Sequence, residues 1–480
     1  MSSRRKLYLL WATALSVPLI SLLFYLHLGT LYHCFNTDVG IYLQAMMGIG
    51  QGDFNPYSSV RDLPIFNDHL DPIIFLGAFF IKIFNYHPLA LIYFEFIWLV
   101  IFLYLIFYFY RKSEINDVKY CLFLFTLAIF CKGIFSSFRF PTHPISWSIV
   151  PLLMLIWSLF KNDDKKIFLS FIFLFLFKEV FPLSALFFGG YCLLIKRFRL
   201  GLGILICSSL MLYLNFGVLH GENAATGGHA DVLNDLLKHP LDFLLTLLSQ
   251  LDWAAWFKYF FPFILPLIFY IGALKDKNEL FGLKGMGLFL FFAPLFGMHF
   301  LKNKIYLHYG AQFNALLFGL FLYPAVIQKI QSRKYWMPLI IVIFVLSGFK
   351  EHELIFRQWV LQKNPYCKIN PMVQKDSAEL LEKIKEIPEK KTILTIGELL
   401  PTLISMNLDT YQINGFSKHL TQYDYLLLRN SPDIESYNIS WQQMKKIKSN
   451  CEKYFSRILV SNQNYFLVNG PILNHCIEAK

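Results

Sequence analysis

The chain has 480 residues, of which 56% are hydrophobic and 18% aromatic, and its formal net charge is +12. A soluble globular chain is usually about 45–50% apolar, so this composition indicates an integral membrane protein. The charge does not indicate nucleic-acid binding, because the basic residues stand in small clusters between apolar runs and form no stripe with interleaved aromatic side chains. Apolar runs of roughly 17–25 residues recur along the chain, which is typical of a polytopic helical bundle.

The first apolar run extends from Leu7 to about His27 and follows the basic triplet Arg4-Arg5-Lys6. Positive residues favour the cytoplasmic side, so the N-terminus is predicted inside and the next loop outside. The run is longer than the core of a signal peptide and lacks a small-residue cleavage site, so we interpret it as a retained anchor.

The first outer loop, residues 28–71, carries the ionisable residues that attract most attention. Asp38 opens a stretch with Gly40, Ala45 and Met46 on its apolar side, which predicts a short helix lying in the membrane interface. Asp68-His69 stands at the start of the next apolar run, at the same depth. An extramembrane loop is also polar simply because water wets it, and Asp53 and Arg61 are interpreted that way.

Later basic clusters set the remaining topology. If Pro72–Tyr86 forms a re-entrant or interfacial helix, every later cluster falls inside and the chain has about eleven spans. If that segment crosses fully, the count is twelve and several clusters fall on the wrong side. The predicted spans after the first are 88–110, 118–135, 145–160, 166–177, 180–196, 200–219, 257–274, 284–300, 308–328 and 335–349. The pair 166–177 and 180–196 is short for two crossings, so it tilts or stops short of the outer surface.

This topology brings the polar residues at the outer ends of the spans into one layer. Cations there would hold a lipid-linked phosphate, and a carboxylate would serve as a general base. Plainer readings remain open: Lys178-Glu179 as a self-neutralising pair that marks a turn, His143 as a helix cap, and Lys302, Lys304 and His308 as a solvated loop. The members of the layer are Asp38, Asp68, His69, Arg139, His143, Lys178, Glu179, the segment 220–229, Lys302, Lys304 and His308.

Two outer regions complete the chain. Residues 220–256 form a loop that is either a lid or a plain interfacial connector. Residues 351–374 are a predicted linker, and residues 375–480 a small α/β domain whose first helix begins at Asp376 with Glu379 as a capping box. That domain shows no nucleotide-binding glycine pattern and no metal-spaced Cys/His set. If it is periplasmic, Cys451–Cys476 is the favoured disulfide.

Several of these motifs together resemble a bacterial membrane-protein family called domain of unknown function 2079. The resemblance rests on Asp38-Val-Gly-Ile-Tyr-Leu-Gln44, Asp68-His69 with Pro72, His143-Pro144, Lys178-Glu179, His239-Pro240-Leu241 and Asp424-Tyr425. The family usually has Phe where this chain has Thr142, and an acidic residue where it has Val180. The family itself is similar to the GT-C glycosyltransferases, and the Lys178-Glu179 turn resembles the lysine-bearing turn of aminoarabinose transferases.

The resemblance implies a mainly α, GT-C-like transmembrane bundle over residues 1–350 with a small extracytoplasmic α/β domain. It also implies a bacterial inner-membrane enzyme that uses a polyprenyl-phosphate-linked sugar, with an N-terminus inside and a C-terminal domain in the periplasm. Asp38 and Glu179 are the catalytic candidates. The substrate-binding candidates are Asp68, His69, Arg139, His143, Lys178 and His308.

Three questions stay open at this level. A divalent cation, Mg²⁺ or Mn²⁺, would suit the carboxylates, but their scattered spacing commits to no metal. A transporter or flippase for a lipid-linked or anionic substrate is the alternative function, because intramembrane charges and broken helices also mark transporters. A third interpretation is a non-catalytic membrane protein whose tail domain binds a partner.

Overall fold

The computed structural model is mainly helical, with a five-stranded sheet near the C-terminus and two sheets of only two strands each. One of the two-stranded sheets lies in the first outer loop and pairs β1 (Tyr57–Ser58) with β2 (Leu63–Pro64). Most of the first predicted span and most of the loop 220–256 lie outside the residues that the structure describes. The described residues are 16–23, 37–61, 63–112, 118–139, 142–219, 238, 242, 246, 249, 253–301, 308–332, 335–360, 363–364, 367–368, 371–388, 391–396, 399–405, 409–412, 422–430, 441–462 and 465–477.

The chain divides into two compact units. The first, here called the bundle unit, consists of Met1–Leu19, His69–Ile73 and Glu95–His352. The second, the tail unit, consists of Ile20–Asp68, Ile74–Phe94 and Glu353–Lys480. The five-stranded sheet therefore shares a unit with the first outer loop.

The described helices up to residue 360 are numbered in chain order. They are α1 (Thr37–Gly50), α2 (Ile65–Asp68), α3 (Ile74–Ile83), α4 (Pro88–Arg111), α5 (Val118–Phe130), α6 (Lys132–Arg139), α7 (Pro144–Trp147), α8 (Ile149–Lys161), α9 (Asp164–Leu174), α10 (Val180–Leu194), α11 (Phe198–Leu212), α12 (Trp253–Phe260), α13 (Ile264–Asp276), α14 (Leu288–Leu301), α15 (His308–Gly319), α16 (Pro324–Gln331) and α17 (Trp336–Val360).

Three described helical segments are long and apolar enough to cross a membrane: Pro88–Arg111, Pro144–Lys161 and Phe198–Leu219. Two bent pairs raise this to five. The segment Val118–Phe130 turns by 58° into Lys132–Phe138, and Gly310–Leu322 turns by 69° into Pro324–Gln331. The spans expected at 118–135 and 308–328 therefore correspond to bent helical pairs, and eleven spans stay a prediction. Helix α3 has ten residues, about 15 Å, which is half of a roughly 30 Å hydrocarbon core.

Packing around Cys131 explains the first bend. The Cys131 thiol bonds to Asn314 Oδ1 at 3.5 Å, and the ring Nε2 of His352 lies 3.1 Å from the carbonyl oxygen of Ile129. A Cβ on Gly133 would lie 2.1 Å from the Asn314 amide, so only glycine lets α6 approach α15 this closely. Near the bend, a side chain from a distant helix thus bonds to the Ile129 carbonyl, which a continuous helix would have used.

The basic clusters of the bundle unit meet at one end. The Phe160 ring lies 4.8 Å from the Tyr323 ring, which brings the ends of α8 and α15 together. Tyr120, beside the Arg111 cluster in sequence, donates a hydrogen bond to the Phe321 carbonyl at 2.9 Å. Arg197 donates to Asn162 Oδ1 at 2.7 Å. We call this the basic end. Its position on the cytoplasmic side stays a prediction.

In the tail unit, α1 packs between α3 and a helix at Leu400–Ser405. A Cβ on Gly77 would lie 2.5 Å from Met46, which shows how closely α1 and α3 approach. Most side chains of α1 are buried, so the expectation of a helix lying at the interface with one apolar face is corrected. The apolar residues on all sides of α1 favour a helix enclosed by protein over one that floats between water and lipid.

The elements after residue 360 form the α/β domain. They are β3 (Lys363–Asn364), β4 (Cys367–Lys368), α18 (Pro371–Lys385), β5 (Thr392–Thr395), α19 (Leu400–Ser405), β6 (Asp409–Gln412), β7 (Gln422–Arg429), α20 (Trp441–Cys451), β8 (Arg457–Ser461), β9 (Tyr465–Leu473) and α21 (Asn474–Ile477). The larger sheet has the order β6-β5-β7-β9-β8, in which β6, β5 and β7 are parallel and β9 and β8 antiparallel.

The structure after residue 350 confirms one prediction and corrects two. The disulfide Cys451–Cys476 is present, with a Cα separation of 5.1 Å. The helix expected to begin at Asp376 begins instead at Pro371, because proline is well suited to the first helical position. The linker expected from residue 351 is helical as far as Val360, where α17 ends.

Candidate active site

An ion pair joins two segments that the sequence leaves far apart. His69 Nδ1 lies 3.3 Å from Glu179 Oε1, and the exposed fractions of the two side chains are 29% and 15%. Both residues belong to the bundle unit. The structure thus brings together two of the predicted site residues.

The chain between α9 and α10 explains how Glu179 becomes available. Helix α9 ends at Leu174, a turn follows, and α10 begins at Val180 with Glu179 as its N-terminal cap residue. Its side chain makes no capping hydrogen bond and instead points to His69. The backbone N–H of Ile73 donates to the Leu176 carbonyl at 2.8 Å, which holds the His69 segment against this turn.

The electrostatics of the turn keep Glu179 ionised. Burial alone would raise the pKa of its carboxyl, but the charge and hydrogen bond of His69 and the charge of Lys178 outweigh burial and lower the pKa from 4.5 to about 2. The second carboxylate oxygen, Oε2, is buried and has no hydrogen-bond partner among the described residues. A buried acceptor of this kind costs roughly 1–3 kcal/mol when unsatisfied, so it is a natural position for a donor from water or substrate.

Lys178 adds a second buried charge to this turn, with only 6% of its surface exposed. Buried lysines are rare unless paired, and the carboxylate of the next residue supplies part of that compensation. The two features of a self-neutralising turn, a buried lysine and a carboxylate next to it, are therefore present. A self-neutralising turn does not require the ion pair between Glu179 and His69, nor the buried oxygen Oε2 of Glu179 that has no partner among the described residues.

Glu95 is a further buried carboxylate, which the sequence analysis did not single out. It is fully buried in α4 and accepts a hydrogen bond from the backbone N–H of Thr142, with the His143 backbone and the Trp147 indole close by. A lone acidic residue inside an apolar run is itself a signal of function or of a specific partner. That signal could have identified Glu95 from the sequence.

The backbone beside Glu95 is strained. Thr142 has φ +65°, a left-handed conformation that a β-branched residue rarely adopts and that costs about 1–3 kcal/mol. His143 then occupies the N-cap position of α7 without a side-chain capping bond. The plainer reading of His143 as a helix cap is therefore confirmed for its position, although its side chain makes no capping bond. Glu95 fixes the strained turn that presents His143.

Aromatic rings connect the His143 turn to the Lys178 turn. Trp98 lies one turn after Glu95 and stacks on Trp147 with ring centroids 6.2 Å apart. The same Trp98 ring meets Phe177 edge-on at 5.6 Å. Because Phe177 directly precedes Lys178 and α7 directly follows His143, the turns bearing His69, His143, Lys178 and Glu179 lie in one neighbourhood of the bundle unit.

The remaining predicted residues are placed less closely or elsewhere. Arg139 ends α6 and His308 begins α15, and α15 packs against both α6 and α7, so their backbones belong to the same part of the bundle unit. Asp38 and Asp68 belong to the tail unit. Asp68 pairs with Arg61, whose Nε lies 3.0 Å from Asp68 Oδ2, and Asp38 stands in the first turn of α1.

Within α1, the motif that begins at Asp38 has a clear structural part. Gln44 accepts from the Ser59 backbone at 3.0 Å and donates to the Ser59 hydroxyl at 2.9 Å, which fastens the following loop to the helix. Val39, Ile41 and Leu43 are core residues. Packing thus accounts for most of this motif, and Asp38 is its ionisable member.

The described residues do not form a metal-binding cluster. Within the described part of the chain, no three His, Cys, Asp or Glu side chains come together in a way that could hold an ion. A cation bound by one carboxylate together with substrate phosphate would need fewer protein ligands.

The chain matches one family of membrane proteins. A family model described as predicted membrane protein, DUF2079, matches residues 32–457. The chain belongs to this family. A comparison with curated proteins finds no match. The matched range includes both the His69–Glu179 pair and most of the tail domain, so the family relationship and the apolar helices together make this a multi-pass membrane protein.

Proposed function

We propose that this DUF2079 protein is a GT-C-type glycosyltransferase of the bacterial inner membrane. It would move a sugar from a polyprenyl-phosphate donor to an acceptor at the outer face, with the C-terminal domain in the periplasm. The observation that carries the proposal is the turn at Lys178-Glu179. There, a buried lysine adjoins a carboxylate that His69 holds by one oxygen and that keeps its other oxygen buried and unbonded among the described residues.

The proposed reaction inverts the sugar carbon. An acceptor hydroxyl forms the new C–O bond as the bond to the lipid phosphate breaks, and its proton passes to Asp38. The departing phosphate takes the electron pair of the broken bond and gains negative charge, so fixed cations supply most of the stabilisation. Lys178 and His143 are the first candidates for these cations, and Arg139 and His308 are the second. Glu179 accepts a hydrogen bond from the acceptor or the sugar, and His69 orients Glu179.

Asp68 has a smaller role in this scheme, because it already bonds to Arg61. We propose that it fixes the peptide on which His69 sits. A Mg²⁺ or Mn²⁺ ion, where one is used, would bind through the free oxygen of Glu179 and would supply charge to the phosphate.

The lipid phosphate is the test ligand, because it is the product of every donor whatever the sugar. Purified protein in nanodiscs is titrated with undecaprenyl phosphate, and quenching of the tryptophan fluorescence reports on Trp98 and Trp147 beside the site. We expect saturable binding that weakens at least tenfold in Lys178→Met. Lys166→Met is the matched control, since Lys166 is a surface lysine, 66% exposed and paired with Asp163 at 2.7 Å. Equal binding by all three proteins would refute the proposal.

A transporter or flippase is the second candidate, and the two bent helical pairs favour it. Broken helices at membrane depth are typical of transporters, where they open a path for the substrate. The two functions separate in proteoliposomes that contain a fluorescent undecaprenyl-phosphate sugar. A transporter exposes the label to an external reductant without breaking the sugar–phosphate bond, whereas the transferase consumes the bond once an acceptor is present.

A further inference from the structure

The bundle unit contains an elongated apolar cavity at its basic end. Its volume is about 890 Å³ and almost all of its lining is carbon, a volume within the roughly 300–1,000 Å³ of ordinary ligand pockets. The walls come from α13, α14 and α15, and no residue of the His69–Glu179 site lines it. This cavity therefore has no part in the proposed transfer.

One wall shows that the cavity is long and narrow. Gly285, Phe289, Phe292 and Phe296 line it at helical spacing, so this face extends for roughly 16 Å along the helix axis. The outer rim is apolar as well, since Phe281 is 71% exposed and Phe289 60% exposed. An unbranched hydrocarbon chain fits a space of this shape and lining.

Polar groups gather where the cavity begins. The Tyr270 hydroxyl, on the cavity wall, donates to the Lys284 carbonyl at 2.6 Å. Glu279 accepts from Lys284 Nζ at 2.8 Å and from the Tyr323 hydroxyl at 3.0 Å. The Lys277 ammonium lies 5.7 Å from the centre of the Tyr323 ring. Tyr323 is thus the hub of a fixed polar cluster.

The charges of this cluster do not cancel. Lys329 lies 3.8 Å from Asp276, and a small open pocket lies between them and Lys277. Four lysines stand against two carboxylates here, which leaves a net of two positive charges: Lys275, Lys277, Lys284 and Lys329 against Asp276 and Glu279. Helix α16 crosses this region as a short segment with Val326, Ile327 and Ile330 buried and Lys329 turned outward, which is typical of a helix at the membrane interface.

We propose that this place binds an anionic phospholipid. The phosphate headgroup lies between Lys277 and Lys329, and one acyl chain fills the apolar cavity beneath Tyr270. The positive charge at the entrance complements a negative headgroup, and the length of the cavity fits a long acyl chain. The site therefore favours a lipid that has both. Basic pockets between membrane helices are a common way to hold such headgroups.

Native mass spectrometry tests the site on the full-length protein. Delipidated protein is titrated with dioleoyl phosphatidylglycerol or dioleoyl phosphatidylcholine, and the retained lipids are counted. We expect one phosphatidylglycerol to be retained about tenfold more strongly than phosphatidylcholine. The double substitution K277Q/K329Q should weaken that retention by roughly thirtyfold, since each lysine near the headgroup contributes about fivefold.

Two further variants separate the parts of the proposal. Ala293→Trp places a large side chain in the cavity and should abolish tight retention with the lysines intact. The double substitution K165Q/K166Q removes two exposed charges from the start of α9 and should have no effect. Each variant is first checked for an unchanged melting temperature. Equal retention of both lipids, retention in Ala293→Trp, or displacement of the lipid by millimolar inorganic phosphate would each overturn the proposal.

Discussion

Glu179 and Asp424 are two carboxylates within the residues that the family model matches, and their surroundings differ. Asp424 stands on β7 in the tail domain, where both of its oxygens are in use. Oδ1 accepts from Lys391 Nζ at 3.0 Å, and Oδ2 accepts from the backbone and hydroxyl of Thr392, each at 2.9 Å. Glu179 uses one oxygen on His69 and keeps the other buried and without a partner among the described residues.

The pKa of both carboxyls is lowered, for different reasons. At Asp424, partial burial raises the pKa, and the hydrogen bonds from Thr392 and Lys391 outweigh it. At Glu179, burial is again opposed, here by the charges of His69 and Lys178. Asp424 fastens β5 to β7 and has little capacity left for a ligand. A lowered pKa therefore does not distinguish a structural carboxylate from a functional one. A buried oxygen without a partner among the described residues marks a position for a donor, at Glu179 Oε2 and also at Glu95 Oε1.

The largest expected effect belongs to Asp38, the proposed base. Asp38→Asn removes the charge at constant size, and Asp38→Glu moves the charge by about one methylene, a misplacement that can cost on the order of a hundredfold in rate. Both variants should insert and melt like the wild type yet lose most sugar transfer, with Asn the worse. The measurement is activity per folded molecule. Unchanged turnover in Asp38→Asn would exclude Asp38 as the base and leave it a structural residue of the first helical turn, since Asn and Asp cap helices equally well.

Glu179→Gln tests the comparison directly. The amide keeps the shape of the side chain but has no negative charge with which to bind the hydroxyl of the sugar acceptor. We therefore expect the rate of sugar transfer to fall roughly tenfold to a hundredfold, while the affinity for undecaprenyl phosphate stays unchanged. His69→Gln, which leaves the carboxylate in place but disorients it, should lose less. The matched control is Asp424→Asn, with normal activity per folded molecule. Equal losses in Glu179→Gln and Asp424→Asn would remove the distinction between the two sites.

The sequence anticipated the helical class, the tail domain and its disulfide, because apolar periodicity and cysteine content are local signals. It missed the bend at Cys131, since His352 and Asn314 cause it from far along the chain. It also missed β6, whose four residues Asp409–Gln412 carry a weak strand signal and become a strand by pairing with β5. The His69–Glu179 contact was expected only as one member of a wider layer. Convergence with Asp38 stays a prediction.

Glu95→Ala tests whether a carboxylate inside the bundle can be structural. The change leaves the Thr142 N–H without its buried acceptor and creates a cavity, so we expect a loss of roughly 2–4 kcal/mol in the free energy of unfolding. Glu95→Gln keeps one oxygen and should lose less than half as much. Thermal melting in detergent gives both values. Thr142→Gly, which relieves the positive φ, should recover part of the loss in the double variant.

If Glu95→Ala melts like the wild type, the strained turn at Thr142 does not depend on the carboxylate, and Glu95 joins Glu179 as a candidate for chemistry. If it melts lower and Thr142→Gly gives no recovery, the carboxylate stabilises the bundle by some other contact.

Asp424→Asn should have a smaller effect on stability. The side chain is 37% exposed, so water screens its pairing with Lys391 and most of the loss comes from the Thr392 bonds. We expect about 1 kcal/mol in the free energy of unfolding. Lys391→Gln removes only the exposed partner and should be nearly silent. A loss in Lys391→Gln as large as in Asp424→Asn would mean that the ion pair, not the link between strands, is what matters.

The smallest effect is a dependence of stability on pH, and its sign follows from the lowered pKa of Glu179. A carboxyl whose pKa falls from 4.5 when unfolded to about 2 when folded stabilises the fold above pH 4.5. That contribution is lost as the pH falls from 4.5 towards 2. The difference in melting temperature between wild type and Glu179→Gln should therefore be constant from pH 8 to 5 and shrink below it. A difference that changes instead between pH 8 and 6 would show that a group other than the Glu179 carboxyl controls it.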